Sequence, residues 1–389
     1  MTGLAGRAAV AGIGATEFSK ESGRSEMRLA VEAVSAALTD AGLAPKDIDG
    51  LATFTMDSNE EIEVARNLGA GDLTFFSRIH YGGGAACAVV DQAAMAVATG
   101  QANVVVCYRA LNGRSWRRFG RSMHDKPTAE LIHYSWYTPY GLTTPASWVA
   151  MFARRYLHAT GATTEDFGRV AVAHRAFAAT NPNAWFYERP ITLEDHQTCR
   201  WIVEPLRLLD CCQESDGGVA VIVTTVERAR DLRQSPVVIR GSAQGSGAGQ
   251  EEMTSYYRDD LVRIPEADVV ARKLWERSGL TPGDVQTAVI YDPFTPFVLM
   301  QLESFGFCAP GEAGAFVRER GIGPGGALPV NTNGGQLGEG YIHGMNGVAE
   351  GVRQVRGTAA NQIDGVSNVL VTSGVGVPTS GLVLGRDNR

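Results

Sequence analysis

A sequence repeat constrains the fold of this chain more than any other feature. Residues 27–51, MRLAVEAVSAALTDAGLAPKDIDGL, resemble residues 269–290, VVARKLWERSGLTPGDVQTAVI, when the two are aligned at a shift of 237 positions. Gly42 then meets Gly279, and a proline follows three residues later in both copies. In each copy an apolar helical pattern stops at the glycine and leads into a short β-rich run. The repeat indicates that the chain consists of two duplicated halves.

The rest of the sequence fits the same two halves. Each half contains a glycine-rich turn before a helix, in YGGGAACAVVDQAAMAVATG at 81–100 and in NTNGGQLGEGYIHGMN at 331–346. Alternating strands and helices with short glycine-rich links are typical of α/β proteins. We predict an α/β fold with halves at 1–235 and 236–389, each with a mixed, mainly parallel sheet and covering helices. Residues 110–205 interrupt the first half, and we interpret them as an insertion over the ligand-binding end of its sheet.

The composition excludes several classes of protein. The 42 acidic residues outnumber the 35 basic ones, and the formal net charge of -7 argues against nucleic-acid binding. No apolar run reaches the roughly 18–20 residues that span a membrane, and the first residues lack a signal-peptide pattern. The six cysteines form neither a CxxC pair nor a disulfide framework. We therefore expect a bacterial, cytoplasmic protein that binds neither nucleic acid nor a membrane.

The glycine-rich turns have a chemical use. A strand that leads through glycines into a helix directs free backbone N–H groups and the positive end of the helix dipole at one point. Such a point stabilises an anion, either a phosphate or the oxyanion of a polarised thioester. Neither turn matches the nucleotide-binding patterns GxGxxG or GxxxxGK[ST]. We predict that Gly84, Asn331 and Gly340 shape an anion-holding turn of the active site.

Several longer segments resemble the thiolase superfamily, in particular its lipid-transfer-protein and sterol-carrier-type branch. The resemblance spans almost the whole chain, and its most specific parts are LLDCCQESDGG at 208–218 and NTNGGQLGEGYIHGMN at 331–346. It implies two βαβαβαββ-like halves packed face to face. It also implies that two copies of the chain form a homodimer.

The sequence departs from that family wherever acyl transfer needs a reactive group. The position of the nucleophilic cysteine falls near Gly84, in the cysteine-free run GGGAA, while Cys87 lies inside the following helix. The family's HDCF motif reads YDPF here, so Tyr291 takes the histidine position. The GH pair of the second glycine-rich turn reads Gly340-Tyr341, and the C-terminal CxG cysteine is absent. An acyl-enzyme route cannot run without a nucleophile.

These replacements resemble those of the steroid side-chain-cleaving aldolases within the superfamily. The resemblance implies a carbon–carbon lyase that splits a β-hydroxyacyl-CoA steroid side chain by a retro-aldol reaction into a 17-ketosteroid and propionyl-CoA. Tyr291 and Tyr341 are then the acid–base catalysts, and the sequence leaves open which one is the base. The chain itself would bind no cofactor or metal, because the substrate carries coenzyme A. A small OB-fold partner with a zinc ribbon would join the homodimer in a two-plus-two complex.

The sequence offers further candidate site residues and two alternative functions. We assign His343 a supporting position beside the catalytic turn. Four arginines of the run NGRSWRRFGR are candidates to hold the phosphates of coenzyme A, and a solvated surface explains them equally well: Arg114, Arg117, Arg118 and Arg121. One alternative function is a thiolase or acyltransferase that uses Cys87. Another is a non-catalytic, thiolase-like subunit of a complex that processes acyl-CoA.

Overall fold

A computed structural model describes residues 3–80, 82–116, 118, 134–252, 255–376 and 378–387. Arg117 and Arg121 lie outside these residues. The strands are β1 (Ala8–Ala15), β2 (Gly50–Phe54), β3 (Phe75–Ile79), β4 (Val105–Asn112), β5 (Trp201–Val203), β6 (Leu206–Arg207), β7 (Asp216–Thr225), β8 (Val237–Gly245), β9 (Thr287–Val289), β10 (Asn368–Ser373) and β11 (Thr379–Arg386). The helices are α1 (Glu26–Ala41), α2 (Glu61–Leu68), α3 (Ala85–Ala98), α4 (Pro145–Thr160), α5 (Thr164–Thr180), α6 (Leu193–Thr198), α7 (Val226–Arg230), α8 (Pro265–Ser278), α9 (Thr295–Ser304), α10 (Ala313–Glu319), α11 (Gly335–Gly338) and α12 (Met345–Arg356).

The sequence repeat corresponds to a repeat of structure. The elements β1, α1 and β2 recur as β8, α8 and β9, and the short 3-10 helix Pro45–Asp47 recurs as Pro282–Asp284. Gly42 and Gly279 end the two equivalent helices with φ angles of 75° and 68°. Glycine adopts this left-handed conformation without steric cost, which is why both helices stop there. The glycine stops that the repeat predicts are confirmed.

Nine of the strands form one sheet in the order β3-β2-β4-β7-β1-β8-β11-β10-β9. On one side β3, β2, β4 and β1 share a direction and β7 is reversed, while on the other β9, β10 and β8 share a direction and β11 is reversed. The prediction of an α/β fold with mixed, mainly parallel strands is therefore confirmed, and β1 pairs with β8 so that the two predicted sheets form one. β11 is reversed because only residues 374–378 connect it to β10, and so short a link joins antiparallel neighbours. The division of the chain into two domains at residue 235 stays a prediction.

The helices α3 and α12 pack against the same face of this sheet. Val105 and Cys107 of β4 and Val221 of β7 are buried in one apolar core with both helices. The alternate strand residues Val106 and Ile222 belong to a separate core on the other face, together with α1. This alternation follows from the two-residue period of a strand. The helices α3 and α12 therefore share one core with strands from both halves.

The chain between β4 and β7 forms helices α4, α5 and α6 and the hairpin of β5 and β6. Phe152 of α4 and Phe167 of α5 are buried in the same core as Phe297 of α9. This segment is thereby fixed beside the carboxyl end of β9. Within the described part of the chain, no helix is both long and apolar enough to cross a membrane.

Candidate active site

A cavity of about 740 Å³ lies where β9 ends and where α3 and α12 begin. Tyr291, Tyr341 and His343 line it together with the glycines at 82–84. Its volume is in the range of clefts that enclose a small organic ligand. The structure thus brings the two predicted catalytic tyrosines and the predicted supporting histidine to one place.

The hydroxyl groups of the two tyrosines meet in the wall of the cavity. Their hydroxyl oxygens lie 3.0 Å apart and share a hydrogen bond. Tyr291 is only 5% exposed, whereas Tyr341 is half-buried. Burial, and then the neighbouring Tyr341 hydroxyl, raise the pKa of Tyr291 well above its usual value. Tyr291 therefore keeps its proton at neutral pH, and either hydroxyl can donate in the bond between the two phenols.

A ring of buried hydrogen bonds fixes Tyr291 at the end of β9. Its backbone N–H donates to Thr372 Oγ1 at 2.9 Å, and its carbonyl accepts from Gln301 Nε2 at 2.7 Å. Thr372 Oγ1 in turn donates to Gln301 Oε1 at 2.7 Å. These bonds join β9 to β10 and α9, and they set the direction in which the phenol leaves the strand.

Gly83 provides the space that the Tyr291 phenol occupies. A Cβ atom at residue 83 would lie 1.9 Å from the Tyr291 hydroxyl oxygen, far inside van der Waals contact. Gly344, with φ of 90°, flanks the other side of the ring, where a Cβ would lie 3.2 Å from Tyr291 Cδ2. The position that points at the tyrosine pair is therefore residue 83, one before the predicted Gly84. Gly84 itself is the N-cap of α3 and lines the cavity.

Asn331 and Gly340 shape the second glycine-rich turn on the side away from the cavity. Asn331 Oδ1 accepts from the backbone N–H of Ile290 at 2.7 Å, and Asn331 Nδ2 donates to the Ile290 carbonyl at 2.9 Å. A Cβ at Gly340 would lie 2.7 Å from Phe18 Cγ, so only glycine fits there. Neither residue is among the described residues that line the cavity. Their predicted role in holding an anion stays a prediction, and the structure gives them a role in positioning the turn.

Sequence reasoning missed a buried carboxylate beside Tyr291. Asp292 forms a hydrogen bond with His174 Nδ1 at 2.9 Å and accepts from the backbone N–H of Gln336 at 2.8 Å. It thereby ties the strand end that carries Tyr291 to the turn that carries Tyr341. Its place directly after Tyr291 in the YDPF motif was the available signal. No local pattern points to His174, which lies 118 positions away along the chain.

A buried ion pair stands behind His343. Arg109 Nε donates to His343 Nδ1 at 3.1 Å, and Arg109 Nη1 donates to Asp57 Oδ2 at 2.8 Å. Arg109 is 2% exposed and Asp57 is 3% exposed. Burial, and then the charge of Arg109, lower the pKa of His343 well below its usual value. His343 is therefore neutral at neutral pH. An arginine inside the apolar strand sequence VVVCYRALN marks Arg109 as unusual, but it shows neither its partner nor its place in the site.

The wall of the cavity is mainly apolar, with two arginines. Most of the apolar side chains come from the insertion and from the chain just after Tyr291, and Leu208 and Val375 complete the set: Pro145, Ala146, Trp148, Val149, Ile202, Val203, Leu208, Pro293, Phe294, Phe297 and Val375. Arg118 and Arg200 also line it, and Arg118 Nε donates to Glu214 Oε2 at 2.7 Å. Of the predicted arginines, Arg118 therefore reaches the cavity, while Arg114 is not among its described lining residues. Sequence reasoning missed Arg200.

Cys87 does not point into the cavity. It is fully buried in α3, with its Sγ 3.6 Å from the carbonyl oxygen of Val371. Burial raises the pKa of its thiol far above the usual value, so the thiol stays protonated and is a poor nucleophile. This position contradicts an acyl-transfer role for Cys87.

Comparisons with known proteins identify the family of this chain. The family model described as Thiolase C-terminal domain-like matches residues 247–385. The steroid side-chain-cleaving aldolase of Thermomonospora curvata is 64% identical over 390 residues, which cover 100% of both chains. The 17-hydroxy-3-oxo-4-pregnene-20-carboxyl-CoA lyase of Mycobacterium tuberculosis is 63% identical over 98% of this chain and 100% of that protein.

Solved structures give the same relationship. The Ltp2-ChsH2(DUF35) aldolase is similar over 100% of both chains, with a TM-score of 0.95 and 63% identity. A monomeric SCP2-thiolase-like protein of Mycobacterium smegmatis has a TM-score of 0.76 at 21% identity, over 98% of this chain and 78% of that one, which is a likeness of fold alone. The chain belongs to the thiolase superfamily, and within it to the steroid side-chain-cleaving aldolases.

Proposed function

We propose that this protein cleaves a steroid β-hydroxyacyl-CoA side chain by a retro-aldol reaction, which gives a 17-ketosteroid and propionyl-CoA. The hydrogen-bonded pair of Tyr291 and Tyr341 in the cavity is the observation that carries the proposal. The names of the relatives at 63% and 64% identity support the same reaction. Residue 83, which faces Tyr291, is glycine and offers no nucleophile. Burial raises the pKa of the Cys211 and Cys212 thiols that line the cavity, so in the proposal the chemistry proceeds without an acyl-enzyme intermediate.

In this reaction the proton of the β-hydroxyl leaves, the Cα–Cβ bond breaks, and Cα of the departing enolate gains a proton. Tyr341 is half-buried and open to the cavity, so its oxygen accepts the hydroxyl proton. It passes its own proton to Tyr291, and Tyr291 protonates Cα. Each phenol gains one proton and loses one, so neither has to persist as a phenolate. This relay suits the raised pKa of Tyr291, because the free phenolate would be costly there.

The cavity wall sets how the substrate lies. The apolar side chains of the insertion, among them Trp148 and Val149, take the steroid nucleus, because its rings offer large apolar area and few polar groups. Arg118 and Arg200 bind phosphates of coenzyme A, since guanidinium groups form paired hydrogen bonds with phosphate oxygens. The thioester then lies between these two regions, beside the tyrosines.

The proposal includes a partner chain. The similar Ltp2-ChsH2(DUF35) aldolase is named for two components, which supports a second component here. We assign it the OB fold and zinc ribbon that the family resemblance implies, bound to a homodimer of this chain in a two-plus-two complex. This chain binds no cofactor in the proposal, because all three proton transfers run on its phenols.

The test uses the protein co-expressed with its partner and supplied with 17-hydroxy-3-oxo-4-pregnene-20-carboxyl-CoA. We expect mass spectrometry to detect the 17-ketosteroid and propionyl-CoA, with one deuterium at the α-carbon when the reaction runs in D₂O. Cys87→Ala should cleave as the wild type does. Tyr291→Phe and Tyr341→Phe should each lose about 10²–10⁴ in kcat, as removal of a positioned acid or base does. Cleavage that survives both tyrosine changes, or a folded complex that leaves the Cα–Cβ bond of this substrate uncleaved, would contradict the proposal.

A further inference from the structure

His343 holds a backbone conformation that side chains other than glycine seldom adopt. Its φ is 51°, in the left-handed region, and its side chain is buried. Among the described residues, three non-glycine residues have positive φ: Glu188, Asn331 and His343. Two of them belong to the turn that carries Tyr341. Strain of this kind persists where the surroundings enforce it, and it clusters at functional sites.

Arg109 determines which ring nitrogen of His343 carries the proton. A guanidinium group has donors and no acceptor, so His343 Nδ1 accepts the hydrogen bond from Arg109 Nε. The single proton of the neutral ring is then on Nε2. Asp57 holds Arg109 in place through Oδ2 and also accepts the backbone N–H of Ala110 at 3.0 Å. The buried pair thereby fixes both the orientation and the tautomer of His343.

The Nε2 edge of His343 lies at the cavity. A Cβ at Gly82 would lie 3.6 Å from Nε2, and Gly82 lines the cavity with His343 and Tyr341. The imidazole and Tyr341 rings form a T-shaped contact, with their centroids 5.0 Å apart. The ring edge that bears the proton therefore lies beside Gly82, in the cavity that both tyrosines also line.

We infer that the Nε2–H group of His343 donates a hydrogen bond to the thioester oxygen of the substrate, with Arg109 and Asp57 as positioning residues. This inference rests on the proposed retro-aldol function. When the Cα–Cβ bond breaks, its electron pair moves into the thioester and the carbonyl oxygen becomes the enolate oxygen. A fixed donor stabilises that charge as it develops. His343 keeps its proton throughout, because the proton that reaches Cα comes from the tyrosine relay.

Two substitutions at one position separate a donor role from a packing role. His343→Met and His343→Gln are both unbranched and meet the same left-handed backbone, but only glutamine keeps an N–H donor. In the complex with its partner, His343→Met should lower kcat by about 10²–10³, the usual effect of removing one oxyanion donor. KM should change much less, and His343→Gln should recover a large part of kcat. A fully active His343→Met, or equal losses in both variants, would overturn the inference.

The tautomer has its own readout, which does not depend on turnover. With ¹⁵N-histidine in this chain of the complex, the wild-type spectrum should show His343 neutral and protonated on Nε2. The chain has seven histidines, so the His343 signals are assigned as those lost in His343→Gln. Protonation on Nδ1 would overturn the inference. A wild type that leaves the Cα–Cβ bond of the substrate uncleaved would instead overturn the proposed function, which distinguishes the two failures.

Discussion

At the scale of single residues, the position of the Tyr291 phenol requires glycine at residue 83. The Tyr291 hydroxyl occupies the volume into which any side chain at residue 83 would project. The ring cannot simply move away, because Thr372 and Gln301 hold its backbone and Gly344 flanks its other side. The observed position of Tyr291 is therefore possible only with glycine at residue 83.

We expect Gly83→Ala to remove most of the cleavage activity while the protein still folds. The added methyl group and the phenol cannot share one space, so the 3.0 Å contact between the two hydroxyl oxygens has to open. The measurement is kcat with the steroid thioester, together with circular dichroism to confirm folding. Gly283→Ala is the matched control, since its Cβ would meet its nearest atom, Thr281 Oγ1, at an ordinary 3.7 Å. Full activity of Gly83→Ala would show that the phenol position is not critical.

The two tyrosines could be predicted because each replaces a motif residue whose neighbours fix the register. Asp57 and Arg109 could not be assigned to the site, because Arg109 and His343 lie 234 positions apart and only the folded chain brings them together. The position of the lost nucleophile stays a prediction near Gly84, whereas residue 83 is the one that faces the Tyr291 hydroxyl. A run of three glycines has no side chain to mark its register, and the side-chain direction is set by the backbone that leads into α3.

At the scale of elements, the turn at 331–346 is organised around the buried carboxylate of Glu339. Its Oε2 accepts hydrogen bonds from Asn333 Nδ2 and Asn346 Nδ2, which lie on opposite sides of Tyr341 in the sequence. Burial raises the pKa of Glu339 to about 7, although the Arg353 charge acts in the opposite direction. The carboxyl group thus binds its proton more tightly in the folded chain than in the unfolded one.

The pH dependence of stability follows from that difference. Between the ordinary pKa of 4.5 and about 7, the folded state holds more of the Glu339 proton than the unfolded state. The contribution of Glu339 to the free energy of unfolding should therefore be largest below pH 4.5 and should fall as pH rises to about 7. Denaturant unfolding across this range should show a smaller decrease for Glu339→Gln than for the wild type. Glu319→Gln, at an exposed site of α10, should keep the wild-type slope, and an unchanged slope in Glu339→Gln would contradict the assignment.

The C-cap glycine of α8, Gly279, allows a stability prediction that depends on backbone conformation alone. A Cβ there would meet no atom within 4 Å, so a substitution acts only through the φ of 68°. Gly279→Ala should lower the free energy of unfolding by about 1 kcal/mol, and Gly279→Asn by less, because asparagine tolerates the left-handed conformation better. Chemical denaturation measures both, and kcat should not change. An alanine variant as stable as the wild type would contradict this account of the stop.

Such stops could be predicted from the sequence because glycine and proline act on the local backbone. The order of the strands could not, because β1 lies between β7 and β8, which follow it by about 200 residues. That order depends on packing between distant segments. The reversed direction of β11 follows from the shortness of its link to β10 and was not predicted.

At the scale of the whole molecule, α3 and α12 join strands of both halves in one apolar core. Leu382 of β11 is fully buried in this core. Leu382→Ala should lower the free energy of unfolding by about 2–5 kcal/mol, as cavity-forming changes of this size do. Because the core is shared, hydrogen exchange should accelerate in β2 as well as in β9. Acceleration confined to the second half would show that the halves unfold separately.

The duplicated architecture and its thiolase-like type could be predicted because the repeat and the motifs are present in the sequence. The homodimer and the two-plus-two complex stay predictions. Both depend on surfaces, and the sequence pattern of a surface varies with its partner far more than a buried core does. The same holds for the arginines proposed to bind coenzyme A, of which Arg118 lines the cavity and Arg117 and Arg121 lie outside the described residues.

The convergence of two repeats on the Tyr291 ring also has an evolutionary consequence. Gly83 comes from the first copy of the duplicated unit, and Tyr291 and Gly344 come from the second. After a duplication each copy can mutate separately, so one copy can vacate a volume that the other later fills. A scaffold of this kind can exchange one reaction for another through a few complementary substitutions while its core stays intact. Variants that introduce a cysteine at residue 83 should therefore require the simultaneous loss of the Tyr291 phenol.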